Sequence, residues 1–410
     1  SLEIMAEAAT LALPGRLPVG LRSVRAHRWL AFAAPRLTVE IAASPRPGGS
    51  EVEVRISELR EGGAPLLTVE GTVVLGDRYP VAPRRPVLDI GAPRPFRWKP
   101  DELYAEGQLH GMFHGPAFRG VVSIDRAGED GAEGTLRVLA RHGLFRSRND
   151  PVFVLDPLLL DAASQIVGYW TANALERGFV VFPVGFERLD LYAPPLPPGA
   201  RAGCRVRART VGGDQIRADI EITAGDGRPL ARLTGWEVKR IDLPERFYAY
   251  RLAPRDVILS TPLPAPAPGG VLCRLDLPER LLEADGRIWR EGLAHTVLSR
   301  GEREAWRALP GAEALRTEWL LARLAAKDAV RLYLKDRRGL RVCAADVEIA
   351  SDASGRPVAY GTWSGRAGGA PVLSMACGGS AAGARASDLT ARAGRDGDLI
   401  VATALCEGGT

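Results

Sequence analysis

Two stretches of the chain combine one apolar, helix-like run with three strand-like runs that alternate apolar and polar residues. In the first, the opening "SLEIMAEAATLALPG" has helical spacing and precedes "RLTVEIAAS", "EVEVRISEL" and "PLLTVEGTVVL". In the second, a predicted helix at 156–177, closed by Gly178, precedes "RAGCRVRARTV", "QIRADIEIT" and "RPLARLTGWEVKRI". The repeated order predicts an α+β fold in which an antiparallel sheet wraps a helix, twice over.

Proline-rich stretches predict where these blocks are separated. "VAPRRPVLDIGAPRPFRWKP" and "TPLPAPAPGG" suit extended connections better than packed elements. The sequence therefore predicts a first domain at 1–85, a linker at 86–100, a second domain at 101–255, a linker at 256–270 and a third region at 271–410. The chain also opens with Ser1 directly in a helix-like run, which is typical of a chain cut from something longer.

Composition and charge narrow the class of protein. The 410 residues are 46% hydrophobic and carry a net charge of +5, but arginines are interspersed with acidic residues. No basic stretch with interleaved aromatics is present, so we expect no nucleic-acid partner, whereas an acidic ligand or carrier is compatible with this surface. The five cysteines form no CxxC pair, and no run reaches the length of a membrane span. These features predict a soluble, cytoplasmic, reduced protein without a metal site or membrane contact.

The apolar run "LDPLLLDAASQIVGYW" contains two polar groups that need an explanation. Asp161 and Gln165 are four residues apart, so they lie on one face of the predicted helix among apolar neighbours. Lost hydration raises the pKa of a carboxyl group in such a place, which lets it carry a proton near neutral pH and act as a general acid. The alternative is structural: Asp161 caps a loop or pairs with an arginine.

Two motifs give the second block a resemblance to polyketide synthase dehydratase domains, which have a double hot-dog fold. "HGPAFRG" (His114 to Gly120) is similar to the family element that leads into a strand, and "LDAASQ" (Leu160 to Gln165) to the helix that carries the catalytic acid. The resemblance covers roughly residues 1 to 250. It implies that Asp161 is the acid, that Gln165 is its partner, and that the acyl tunnel is lined by His114, Gly115, Pro116 and Phe118.

The resemblance also implies an activity and partners. Family members remove water from β-hydroxyacyl chains held on an acyl carrier protein, beside other polyketide synthase domains, and need no cofactor. Their base is a histidine in an HxxxGxxxxP motif, which does not occur in these 410 residues. His27 has the wrong spacing for that motif, and we favour a lining role for His114. We therefore expect the chain to be inactive alone; the alternative is a non-catalytic scaffold that binds an acyl chain or its carrier.

The third block contains a long helical candidate, "LRTEWLLARLAAKDAVRLYLKDRRG". Its basic residues recur at spacings of seven, four and four, which predicts a basic stripe on one face. Such a stripe is usually a solvated face, but converging basic groups can also bind the phosphates of coenzyme A. The candidate phosphate ligands are Arg316, Arg323, Lys327 and Arg331.

This block resembles the first half of a phosphopantetheinyl transferase domain, the enzyme that loads carrier proteins from coenzyme A. The family's G-[RK]-P turn matches Gly355 to Pro357, but Cys377 stands where the family has a histidine. The later GxDxE and W-xx-KE-[AS] segments, which bind Mg²⁺ and assist proton transfer, are not found. We therefore expect a partial transferase-like region with an irregular Gly/Ala-rich tail. Mg²⁺ and coenzyme A would be needed only by a complete transferase.

Overall fold

The computed structural model divides the chain into two compact units, Ser1–Asp242 and Leu243–Thr410. The division between the two units lies between Asp242 and Leu243, whereas the linker after the second domain was predicted at 256–270. The structure describes residues 1–28, 30, 36–59, 63–84, 87–175, 179–242, 245–264, 271–278, 287–310, 313–351, 353, 357–364, 372–376, 393–396 and 399–407.

The described residues of the first unit are built on one antiparallel sheet of eleven strands. The strands are β1 (Leu17–Ala26), β2 (Val39–Pro45), β3 (Glu51–Glu58), β4 (Leu66–Gly76), β5 (Arg94–Pro95), β6 (Val121–Gly128), β7 (Gly131–Arg137), β8 (Phe179–Leu191), β9 (Arg201–Val211), β10 (Gln215–Ala224) and β11 (Pro229–Asp242). Their order in the sheet is β2-β3-β4-β1-β8-β11-β10-β9-β7-β6-β5. The alternating runs bury one side of each strand: in β9, Ala202, Cys204, Val206 and Ala208 are buried.

Two helices of this unit pack against that sheet. The helix α1 (Leu2–Ala12) lies against β2, β3 and β4, and the helix α3 (Pro157–Ala174) lies against β6, β7, β9 and β10. A short helix α2 (Leu103–Leu109) and a 3-10 turn (Pro116–Phe118) come between them in the chain. The predicted hot-dog arrangement, a helix against antiparallel sheet in each half, is what the structure shows; the cap predicted at Gly178 lies outside the described residues.

The strands that join the two halves are β1 and β8, which the alternation did not predict. Each contains a glycine at the crossing: a Cβ on Gly20 would lie 2.5 Å from the Leu189 carbonyl oxygen, and a Cβ on Gly185 would lie 2.5 Å from that of Val24. Only glycine permits so close an approach of backbones. The same glycines and the nearby Pro18 and Pro183 interrupt the pattern by which strands are recognised.

The connection between the halves is extended in its described part, 80–84 and 87–100, which contains no helix. It is more than a linker, because Leu88 and Ile90 are buried and β5 pairs with β6 at the sheet edge.

In the second unit, the long helix α7 (Glu313–Arg338) packs against a smaller antiparallel sheet. Its contacts there are with β13 (Val271–Pro278), β16 (Val372–Ala376) and β18 (Leu399–Glu407). The tail predicted to be irregular contains strands there: "LIVATALCE" alternates and forms β18 between β13 and β16. No described helix of the chain is long and apolar enough to cross a membrane. The remaining elements are α4 (Glu245–Leu252), β12 (Thr261–Leu263), α5 (Arg287–Val297), α6 (Arg300–Ala308), β14 (Glu348–Ser351), β15 (Pro357–Tyr360) and β17 (Ala393–Asp396).

A buried carboxylate ties α1 to the segment that leads into α3. Glu3 is 8% exposed, and its two carboxylate oxygens accept hydrogen bonds from the backbone N–H groups of Val154 (2.6 Å) and Leu155 (2.8 Å). Burial raises the pKa of Glu3 to about 7, although these two hydrogen bonds oppose the rise. The segment that precedes α3 is therefore held by Glu3, whose charge changes near neutral pH.

We predict that Glu3→Gln weakens the pH dependence of folding. A carboxyl whose pKa is higher in the folded chain than the usual 4.5 binds its proton more tightly when folded, so stability falls as pH rises from about 4.5 to about 7. In denaturant titrations, the loss of unfolding free energy between pH 5 and pH 8 should shrink by about 1–3 kcal/mol in the variant. Asp156 and Asp161, whose pKa values burial also raises, preserve part of the dependence.

The matched control is Glu40→Gln, at an exposed position in β2, which should keep the wild-type dependence. An equal change in both variants would contradict the role of Glu3.

Candidate functional site

The start of α3 is fixed by its own sequence. The Asp156 side chain accepts a hydrogen bond from the Leu159 N–H (3.0 Å) as the N-terminal cap, and Pro157 occupies the first helical position. Since the helix begins at a defined residue, the face on which Asp161 and Gln165 lie is defined as well.

Asp161 and Gln165 meet on that face, as their spacing predicts. The Gln165 Nε2 donates a 2.7 Å hydrogen bond to Asp161 Oδ2. Gln165 is buried, whereas the Asp161 side chain is 32% exposed and is therefore accessible. Burial raises the pKa of Asp161, and the charge of His114 and the hydrogen bond from Gln165 lower it to a smaller extent. The arrangement is that of an accessible acid held by a buried amide.

The loop "HGPAF" brings His114 to the same carboxylate. The His114 Nε2 lies 3.7 Å from Asp161 Oδ2, and its ring stacks on Phe113 at a centroid distance of 5.3 Å. Phe113 in turn stacks on Phe182 of β8. His114 therefore stands beside the acid, as a residue lining the site would.

The other predicted lining residues contribute through the backbone. Gly115 is the extended residue before the 3-10 turn, and Pro116 starts that turn. The Phe118 carbonyl accepts a 2.8 Å hydrogen bond from Gln165 Nε2. A Cβ on the following Gly120 would lie 2.7 Å from the Ala162 Cβ, so the glycine lets the loop approach α3. The motif thus supplies a carbonyl acceptor to Gln165 in addition to the His114 side chain.

Sequence reasoning missed Tyr104 of α2. Its hydroxyl donates to Gln165 Oε1 (2.9 Å) and accepts from the Val121 N–H (2.8 Å). Tyr104 and Gln165 are 61 residues apart in the chain, so no local spacing connects them. The single available signal was a tyrosine in a short helix whose polar tip needs a partner when buried.

The histidine His110 lies elsewhere in the first unit. Its ring is 4.9 Å from the Trp98 ring and its Nδ1 is 2.9 Å from the Glu106 carbonyl oxygen. Among the residues that the structure describes, no group of three or more His, Cys, Asp or Glu side chains is arranged to bind a metal ion.

The basic residues of α7 do not form the open stripe predicted from their spacing. The Lys327 side chain is fully buried, and its Nζ donates to the carbonyls of Val297 (2.8 Å) and Ala344 (3.0 Å) and to Glu302 Oε2 (2.5 Å). Arg331 is 3% exposed and pairs with Asp328 (2.9 Å). The solvated face that the spacing suggested is therefore not formed by these two residues, because spacing places them on one face without telling which face is covered. The phosphate-binding role suggested for the set stays a prediction.

The other two members of that set are partly covered. Arg323 lies over the Trp319 ring, with 4.2 Å from its Cζ to the ring centroid, and 4.0 Å from Glu302. The Arg316 carbonyl accepts from the Trp306 indole N–H (2.8 Å). Cys377 and Gly355, which carry part of the transferase resemblance, lie outside the described residues, so that resemblance stays a prediction.

Comparison with known proteins finds a family match for the part of the chain that contains this site. A family model described as the polyketide synthase dehydratase N-terminal domain matches residues 89–246, which include Asp161, Gln165 and His114. This match supports a polyketide synthase dehydratase domain in that part of the chain.

The curated relatives are much longer proteins. A phenolphthiocerol/phthiocerol polyketide synthase of Mycobacterium tuberculosis is 29% identical over 202 residues, 44% of this chain and 9% of that protein. Phthioceranic/hydroxyphthioceranic acid synthase of the same organism is 28% identical over 207 residues, 50% of this chain and 9% of that protein. The chain therefore spans about a tenth of the length of these relatives.

Solved structures of dehydratase domains are also similar. The dehydratase domain of the polyketide PpsC from Mycobacterium tuberculosis has a TM-score of 0.46 and 21% identity, covering 59% of this chain and 82% of that one.

We predict that Lys327→Met lowers the unfolding free energy of the second unit. Removing the ammonium leaves the Glu302 carboxylate buried without its closest cation, which typically costs about 3–5 kcal/mol of unfolding free energy. The control Lys335→Met, at an exposed position of α7, should change it by less than about 0.5 kcal/mol. Equal effects in denaturant titrations would show that Lys327 is not structural.

Proposed function

We propose that this chain is the dehydratase portion of a polyketide synthase, removing water from β-hydroxyacyl chains carried by an acyl carrier protein. The observation that supports this most is the Asp161 carboxyl group, accessible to a ligand, raised in pKa by burial and held by Gln165. A raised pKa lets a carboxyl group keep its proton to a higher pH than usual, and a proton donor is what a departing hydroxyl requires.

In the proposed reaction the substrate loses its β-carbon–oxygen bond and one α-carbon–hydrogen bond, and a carbon–carbon π bond forms. Asp161 gives its proton to the β-hydroxyl as the C–O bond breaks, and the oxygen leaves as water. A base takes the α-proton, and the C–H electron pair becomes the double bond. The hydrogen bond from Gln165 Nε2 then stabilises the Asp161 carboxylate that remains.

The base is the part of the machinery that these 410 residues do not identify. The family that the chain resembles uses a histidine in an HxxxGxxxxP motif, and that motif does not occur in the sequence. His114 lies beside the acid, with its Nε2 3.7 Å from Asp161 Oδ2, and we propose that it lines the site. We therefore propose that the chain alone binds its substrate but dehydrates it negligibly.

The second proposed function is a non-catalytic scaffold that binds an acyl chain or its carrier. It differs from the first proposal only in the base, since a site with an acid but without a base binds an acyl chain without turnover. In either case the partners are an acyl carrier protein and neighbouring synthase domains, in the cytoplasm, and no cofactor takes part.

The second unit is proposed as a remnant of a phosphopantetheinyl transferase, on its resemblance to that family alone. Lys327 and Arg331 are engaged inside the unit and are not available to the phosphates of coenzyme A. Mg²⁺ and coenzyme A belong to this proposal only for a complete transferase.

The decisive experiment compares Asp161 variants with and without a base. We predict that the chain joined to an N-terminal segment bearing HxxxGxxxxP dehydrates a β-hydroxyacyl carrier protein, scored by mass spectrometry as the loss of one water. Asp161→Asn in that longer protein should lower the rate by about 10²–10⁴-fold while carrier binding persists. Asp77→Asn, at an exposed carboxylate of the same unit, is the matched control and should leave the rate unchanged.

Each other outcome has a distinct meaning. Binding without turnover in the longer protein would favour the scaffold. Full activity of Asp161→Asn would place the acid elsewhere, and brisk dehydration by the 410 residues alone would show that another residue acts as the base, with His110 and His114 as the candidates.

A further inference from the structure

We infer that Tyr104 is a positioning residue that fixes the Gln165 amide, so that protonated Asp161 carries its proton on Oδ1. The inference rests on the proposed function only in the step that passes this proton to the β-hydroxyl. It follows from three hydrogen bonds of one buried side chain, Gln165, and from a fourth that the Val121 N–H donates to the Tyr104 hydroxyl.

The orientation of the amide is set by a group that can only accept. The Phe118 backbone carbonyl lies 2.8 Å from one terminal atom of Gln165. A carbonyl oxygen has no proton to give, so the atom facing it must be the donor, Nε2. The oxygen Oε1 then faces the opposite direction, where it needs a donor because Gln165 is 3% exposed.

Tyr104 is that donor, and its neighbours leave it no other role. The Val121 N–H donates to the Tyr104 hydroxyl oxygen (2.8 Å), so the single hydroxyl hydrogen is free to donate to Gln165 Oε1 (2.9 Å). Burial raises the pKa of Tyr104 to about 12, which keeps the hydroxyl protonated over the working pH range. With Tyr104 in place, turning the amide over would set Oε1 against the Phe118 carbonyl oxygen and Nε2 against a hydroxyl that is already a donor.

A fixed amide determines which oxygen of Asp161 carries the proton. The second hydrogen of Gln165 Nε2 points at Asp161 Oδ2 (2.7 Å), and His114 Nε2 lies 3.7 Å from the same oxygen. In a protonated carboxyl group the carbonyl-type oxygen is the better acceptor, so donation to Oδ2 favours the proton on Oδ1. The β-hydroxyl that receives it must therefore approach the Oδ1 side, with Oδ2 committed to the protein.

The test measures the protonation of Asp161 directly and needs no turnover. We would label aspartate carboxyl carbons with ¹³C, assign Asp161 through Asp161→Asn, and follow its titration by NMR. In Tyr104→Phe, Gln165 Oε1 loses its donor while the Phe118 carbonyl still accepts from Nε2, so the amide is held on one side only and its hydrogen bond to the carboxylate weakens. The Asp161 midpoint should then rise by about half to one pH unit, because that bond favours the charged form.

Tyr169→Phe is the matched control. Tyr169 packs edge-to-face against Tyr104 at a centroid distance of 6.3 Å, and its hydroxyl does not contact Gln165. The variant removes a buried hydroxyl from the same cluster and should leave the Asp161 midpoint unchanged. Equal shifts in the two variants, or none in Tyr104→Phe, would overturn the inference.

Other charges near Asp161 must be separated from this effect. His114 faces the carboxylate, and the charges of Arg119 and Arg137 lower the pKa of Tyr104. Both tyrosine variants would therefore also be titrated with His114→Phe, where the difference between them should persist. Its disappearance would assign the shift to His114 instead.

A second measurement keeps the inference testable if Tyr104→Phe fails to fold. In the unmodified chain, the Gln165 side-chain amide protons should show nuclear Overhauser contacts to the Phe118 backbone, and one of them should shift as Asp161 titrates. Contacts from those protons to the Val121 amide region instead would show the amide turned over. The dehydration assay is independent of these NMR measurements. A failure of the proposed function would not change the Asp161 titration, and a failure of the Tyr104 inference would not change the dehydration assay.

Discussion

A carboxyl group that is partly removed from water inside an apolar helix must be held by hydrogen bonds, and the rest of the site depends on how that is done here. Asp161 lies in α3, the helix around which the second half of the first unit packs. Gln165, one turn later, donates to it and is itself bonded to Phe118 and Tyr104. The polar network is satisfied within the core, so the helix can serve both as core and as site.

The fold supplies the other constraints on α3. Glu3 of α1 binds the backbone at 154 and 155, directly before the Asp156 cap, so the first half of the unit helps to define where the helix begins. The two halves are joined by β1 and β8, where Gly20 and Gly185 allow the strands to meet closely. The acid is therefore positioned by residues from both halves of the first unit.

What could be predicted from the sequence is what depends on local spacing. The four-residue interval between Asp161 and Gln165 and the alternation of β3, β4, β9 and β10 gave the helix, the strands and the central pair. Tyr104 and Glu3 could not be predicted, because their partners are 61 and more than 150 residues away. The error at Lys327 has a related cause: periodicity assigns residues to a face of α7, but only packing shows that this face meets Val297 and Ala344.

The position at which the substrate hydroxyl binds tests the role of Asp161 most directly. A crystal structure of Asp161→Asn with a β-hydroxyacyl pantetheine would report the distance from the β-oxygen to each terminal atom of residue 161. We predict that the β-oxygen lies about 2.6–3.2 Å from the atom at the Oδ1 position, with the atom at the Oδ2 position still facing Gln165. A hydroxyl bound on the Gln165 side, or an acyl chain bound away from α3, would contradict this role.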